Sequence, residues 1–116
     1  MNADERGFIH GFNITAAAVH ENAIAKKFVK KGEKRNEGEM IALAHSELSE
    51  CLDFIRHGNP KSDHIPEFTG AEEELADCVI RCMDHAVQQN YRLGEAIVEK
   101  MRFNATRPMR HGGKKF

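Results

Sequence analysis

Apolar residues recur along this chain at intervals of three and four, the spacing of helices, and nowhere alternate as a strand would. Ile14, Ala17, Ala18, Ala25 and Phe28 form the first such series, which predicts a helix from a cap at Asn13 to Lys31, ahead of Gly32. A second helix is expected from Asn36, where Asn36-x-x-Glu39 has the form of a capping box, to the His-Gly-Asn-Pro run containing Gly58 and Pro60. After a loop, Thr69-x-x-Glu72 repeats the capping-box pattern and opens a third helix reaching about Asn90. The fourth should run from Leu93 to Thr106, because Pro108 disfavours helical geometry at Arg107. The expectation is an all-α, antiparallel bundle of about four helices in one domain, residues 1–116, with a basic tail from about residue 107.

The apolar arcs are wide. Ile41, Ala44, Leu48, Cys51, Leu52 and Ile55 form one arc of the second helix, and Met40, Leu43 and Phe54 extend it toward Glu47. In the third, Leu75, Val79, Cys82, Met83 and Ala86 form the main arc, widened by Ile80 and Val87. Helices this apolar in a short chain bury the excess against another subunit, so a homodimer or homotetramer is expected to complete the bundle.

Composition narrows the class. With 116 residues and 41% hydrophobic content, the chain suits one globular core. No run approaches the roughly 20 apolar residues of a membrane span, and the charged start does not resemble a signal peptide. A cytoplasmic protein with no membrane partner is expected. Cys51, Cys78 and Cys82 all lie within apolar-periodic stretches and read as reduced core residues. Cys78-x-x-x-Cys82 lacks the second ligand pair that a zinc site needs. Net charge is −1, but acids dominate Glu67–Glu99, and six Lys or Arg with no acid follow. An acidic centre flanked by basic segments suits a metal site that holds a polyanion, and equally suits solvated helix faces with a basic tail.

The acids themselves are patterned. Glu47-x-x-Glu50 on the second helix is followed, after 23 intervening residues, by Glu74-x-x-Asp77 on the third. Residues three apart share a helix face, and two antiparallel helices can bring all four carboxylates together. Such a nest requires raised pKa values or a cation. Carboxylates without thiolate or imidazole favour hard ions, Mg2+ or alternatively Mn2+. A di-iron bundle needs Glu-x-x-His on two helices, and that spacing is absent. Each acid pair alone is commonplace on solvated helices.

At these residues the chain resembles the MazG-like family of all-α nucleoside triphosphate pyrophosphohydrolases, whose hallmark is E-x-x-E, a spacer and E-x-x-D on antiparallel helices. The resemblance extends through "HSELSECLDFIRHGN", "EELADCVIRCMDHA" and "AIVEKMRFNATRPMRHGGKKF", covering about residues 40–116. It implies Mg2+-dependent hydrolysis of a nucleoside or deoxynucleoside triphosphate between the α and β phosphates, releasing monophosphate and pyrophosphate. Glu47, Glu50, Glu74 and Asp77 would be the catalytic metal ligands. Lys100, Asn104 and Arg107, spaced i, i+4, i+7 on one helical face, would meet phosphate oxygens or sugar.

Glu72, Glu73 and Asp53 read as cap or surface charges. His20, Asn22 and His45 could line a base pocket, although a hydrogen-bonded structural role is the simpler reading of the histidines. The basic cluster "KKFVKKGEKR" and the tail lack aromatic interleaving or a reading motif, so nucleic acid is not the expected partner. The alternative to an enzyme is a non-catalytic helical dimer, a regulatory or interaction module using the acids as a structural metal joint.

Overall fold

Side-chain caps set three of the four helix starts. The computed structural model describes residues 1–26 and 29–108, and its helices are α1 (Ala3–Ala25), α2 (Glu37–Arg56), α3 (Gly70–Gln89) and α4 (Leu93–Ala105). Among the described residues no strand forms, and a single antiparallel bridge joins Lys61 to Thr69 in the α2–α3 loop. The Asn36 side chain accepts from the Glu39 N–H at 2.9 Å, and Thr69 and Glu72 complete a reciprocal capping box on α3.

The first helix begins ten residues before the predicted Asn13. Asn2 Oδ1 accepts from the Glu5 N–H and Glu5 Oε1 from the Asn2 N–H, both at 2.8 Å, which is again a capping box. Gly7 and Gly11 inside "ERGFIHGF" weaken helix propensity but do not end the helix. Asn13 is therefore mid-helix, its side chain 3.4 Å from Glu95 Oε1. α1 closes at Ala25 rather than Lys31, and Phe28 lies outside the described residues.

The described residues form two compact units: Met1–Thr15 with Arg92–Pro108, and those within Ala16–Tyr91. In the first, α4 runs antiparallel to the start of α1. Arg102 forks onto Glu5 with N–O distances of 2.9 and 2.8 Å, while Gly94 sits against Phe12 and Asn13. Val98 is buried within this unit.

In the second, α2 and α3 are antiparallel partners. Near one end Arg35 meets Asp84 and Gln88, and Glu37 meets His85 and Tyr91; near the other Cys51 donates to the Ala71 carbonyl and Phe54 covers Gly70. Met40, Ala44, Glu47 and Cys51, spaced 4-3-4, are buried on α2 and face an inner side of α3 that includes Ala71, Glu74, Met83 and Ala86. Both helices end in left-handed turns. Gly58 has φ +83° and the Asn59 N–H reaches back to Phe54 O at 2.7 Å, while Asn90 has φ +58° and the Tyr91 N–H reaches Ala86 O at 2.9 Å.

The burial pattern differs from the predicted arcs. Ala44, Cys51, Met83 and Ala86 are buried as expected, whereas Ile41, Leu48, Leu52, Ile55, Leu75 and Val79 are each about half exposed. Small and polar residues together with Met40 and Met83 make the seam between α2 and α3, and the branched aliphatic side chains lie on the outer faces.

Gly70 fixes the approach of α3 to α2, since a methyl group there would collide with the Phe54 ring. Gly70→Ala is expected to destabilise the fold by about 1–3 kcal/mol, the usual cost of overpacking. Urea unfolding followed by circular dichroism measures this, and an unchanged midpoint would contradict the close packing.

Candidate metal centre

The antiparallel pairing brings the two acid motifs face to face. One oxygen from each of Glu47, Glu50 and Glu74 lies within 4.8 Å of the others, and so do oxygens from Glu73, Glu74 and Asp77. Glu74 is common to both groups. The four predicted ligands thus converge around one carboxylate, which is 9% exposed, while Glu47 is 8% exposed. Arg81 Nε donates to Glu47 Oε1 at 3.1 Å.

Electrostatics divides the acids by role. A hydrogen bond with Glu47 is the main influence raising Glu74, followed by burial and Glu50, and its pKa is pushed up to about 8. The same bond, with Arg81 assisting, holds Glu47 below the ordinary carboxylate value. Burial raises Asp77, with Glu47 and Glu73 adding to it. Without a cation, one proton on Glu74 lets the three carboxyl groups coexist.

Glu74 Oε2 is buried without a hydrogen-bond partner. Glu73, by contrast, is spoken for: Ser62 Oγ donates to Oε1 at 2.5 Å and His64 Nδ1 lies 2.7 Å from Oε2. These bonds, Ser62 first, hold Glu73 below the ordinary value. The oxygens open to an ion are therefore those of Glu47, Glu50, Glu74 and Asp77. An all-carboxylate donor set with an unpartnered buried oxygen fits a hard divalent cation such as Mg2+.

A cavity of about 410 Å³ adjoins the nest through Arg81 and is lined also by Arg35, Asn36, Glu39, Met40, Leu43 and Asp84. Its wall is rigid. Arg35 forks onto Asp84 at 2.8 Å and joins Gln88 Oε1, while His20 Nδ1 sits 2.8 Å from the same Asp84. Burial pushes Asp84 up, but Arg35 and His20 outweigh it and the group is held below its usual value. His20 is thus a hydrogen-bonded structural histidine. Asn22 and His45 are exposed and do not line this cavity.

Lys100, Asn104 and Arg107 belong to the unit containing α4 and are exposed there. Lys100 and Asn104 border a groove of about 360 Å³ with Leu93, Ala96, Ile97 and Met101, and the Lys100 ammonium lies 4.6 Å from the Phe103 ring centre. Arg107 follows the helix end, its N–H bonded to Asn104 O at 3.2 Å. The tail beyond Pro108 lies outside the described residues.

Compared with protein-family models, curated proteins and solved structures, the chain matches none. Three features of the centre were not singled out from sequence. Arg81 carries a visible signal, its i+4 spacing from Asp77. Glu73, a cap or surface charge by sequence, has a side chain only 15% exposed and anchors a loop. The partnership of Arg35 with Asp84 joins residues 49 apart and has no local signature.

The raised Glu74 sets a pH dependence whose sign is fixed. Its folded pKa of about 8 exceeds the ordinary 4.5, so the folded chain holds a proton that the unfolded chain releases between those values. Its stabilising contribution is full below pH 4.5 and is lost as pH rises through about 8. Asp77 acts in the same direction. In metal-free buffer the melting temperature should fall from pH 5 to pH 9, less steeply for Glu74→Gln, and scanning calorimetry at both values measures it. Equal slopes for the two proteins would refute the shared proton.

Proposed function

We propose that this chain is a MazG-like, Mg2+-dependent nucleoside or deoxynucleoside triphosphate pyrophosphohydrolase that acts in the cytoplasm on the nucleotide pool. The observation that carries the reading is Glu74: a buried carboxylate shared between two acid motifs, with an oxygen that lacks any donor and a proton that a cation can displace. The resemblance of residues 40–116 to that family supplies the reaction.

Glu47, Glu50, Glu74 and Asp77 would hold the ion, which when bound supplies charge neutralisation for the triphosphate and acidifies water for in-line attack at the α phosphorus. Arg81 restrains Glu47 and fixes the direction of its free oxygen. Met40 and Leu43 give the adjoining cavity an apolar wall for the nucleoside, with Asn36, Glu39 and Asp84 as polar groups along it. Lys100, Asn104 and Arg107 are assigned to the phosphates and sugar on the resemblance. No described helix is long and apolar enough to cross a membrane.

Turnover tests the assignment. Each ribo- and deoxyribonucleoside triphosphate is incubated with Mg2+ and the products are separated; monophosphate plus pyrophosphate is expected, whereas diphosphate plus orthophosphate would reject the cleavage position. Glu50→Gln and Asp77→Asn should each lower kcat/KM by more than the roughly 10–100-fold typical of losing an outer partner of a metal. Their metal-free melting temperatures should equal or exceed that of the unaltered chain, because a repulsion is relieved. Full activity in both variants would remove those residues from the centre.

The second reading, a non-catalytic helical module, draws on the half-exposed aliphatic stripes of α2 and α3. Under either reading those stripes form the contact between copies in a homodimer or homotetramer. Leu52→Glu, placed in the middle of the α2 stripe, should shift the protein to single-chain mass in sedimentation analysis at micromolar concentration. An unaltered chain already sedimenting as a monomer would defeat the association.

A further inference from the structure

The loop between α2 and α3 holds one histidine unusually firmly for its exposure. Ser62 is 2% exposed, and its hydroxyl accepts from the N–H groups of His64 at 3.1 Å and Ile65 at 3.0 Å while donating to Glu73 Oε1. The other oxygen of Glu73 lies 2.7 Å from His64 Nδ1. The main chain of His64 is thus fastened to Ser62 and its ring to Glu73, two residues bonded to each other, although the side chain is 82% exposed.

Because an ionised carboxylate only accepts, Nδ1 carries the proton in this pair. Nε2 makes no hydrogen bond among the described residues. Glu73, by hydrogen bond and charge, raises His64 above the ordinary histidine value, with Asp63 and Asp77 adding to this against a little burial. The contact with Glu73 sets the ring beside the acid nest, where oxygens of Glu73, Glu74 and Asp77 lie within 4.8 Å of one another.

A nest of acids needs help to accept a polyanion even with an ion bound. Arg81 is committed to Glu47. His64 offers a donor whose direction is set in advance and whose charge is balanced by Glu73, so it adds aim without upsetting the ion's ligands.

We propose that His64, positioned by Glu73 and Ser62, is a phosphate-contacting residue whose Nε2–H donates to the terminal phosphates of a triphosphate held at the nest, and to pyrophosphate after cleavage. This rests on the nest being a metal centre for phosphate esters.

Calorimetric titration with inorganic pyrophosphate in Mg2+ tests it without turnover. His64→Ala should weaken pyrophosphate binding by about tenfold, the worth of one hydrogen bond to a charged group, and His64→Lys should recover part of it. Binding of Mg2+ alone should stay within about twofold in all three proteins. Pyrophosphate bound equally by His64→Ala, an equal loss of Mg2+ affinity, or no pyrophosphate binding by the unaltered chain would each overturn the role. A His64-dependent affinity in a protein that hydrolyses no nucleotide would uphold it and reject the hydrolase reading instead.

Discussion

The mutual repulsion of Glu47, Glu50 and Glu74 is the constraint around which the α2–α3 pair is organised. Their oxygens lie within 4.8 Å of one another, a separation at which full charges repel strongly wherever water is thinned out. The helices cannot separate to relieve it. Arg35 and Glu37 bind α3 beyond one side of the nest, and the contacts of Cys51 with Ala71 and Phe54 with Gly70 bind it on the other. A proton on Glu74 is the metal-free solution, and the proposed divalent ion would be the other. Binding of such an ion must then release that proton near neutral pH.

The same seam explains why the strongly apolar arcs lie outside. Small side chains at Ala44, Cys51, Ala71 and Ala86 let the backbones approach, and the polar partners specify register more sharply than aliphatic contacts could. Burial of Ile41, Leu48, Leu52, Ile55, Leu75 and Val79 is then left for a surface beyond this helix pair. A hairpin whose inner face is a charged nest gains little from hydrophobic burial by itself, so the proposed association of copies and the proposed metal site support each other: one stabilises the scaffold that the other strains.

Much of this was legible in the sequence. Helix ends at Asn36, Gly58, Thr69 and Asn90 follow from local chemistry, since a cap or a left-handed turn involves residues only a few positions apart. The convergence of Glu47, Glu50, Glu74 and Asp77 was readable because i, i+3 spacing fixes a face and the loop permits antiparallel packing. Helix one was misplaced because Gly7 and Gly11 lower local propensity, although Asn2-x-x-Glu5 carries the very pattern that served at Thr69. Which face of α2 turns inward was not readable: a wide apolar arc does not say whether its neighbour is the same chain or another. Nor was the fastening of Ser62, His64 and Glu73, because it depends on how a 13-residue loop folds back onto α3.

That fastening bears on how many oxygens the centre can offer. Five carboxylates crowd the start of α3 and the middle of α2, and Glu73 and Glu74 are both within reach of Asp77. What separates them is the supply of donors. Glu73 receives a hydroxyl and an imidazole, so stripping it for an ion would leave both without an acceptor, whereas Glu74 Oε2 receives nothing and loses nothing. An ion, bound as proposed, would therefore meet Glu74 rather than Glu73. Glu73 stays free to orient the loop, and the division of labour between two adjacent acids follows from hydrogen-bond satisfaction alone.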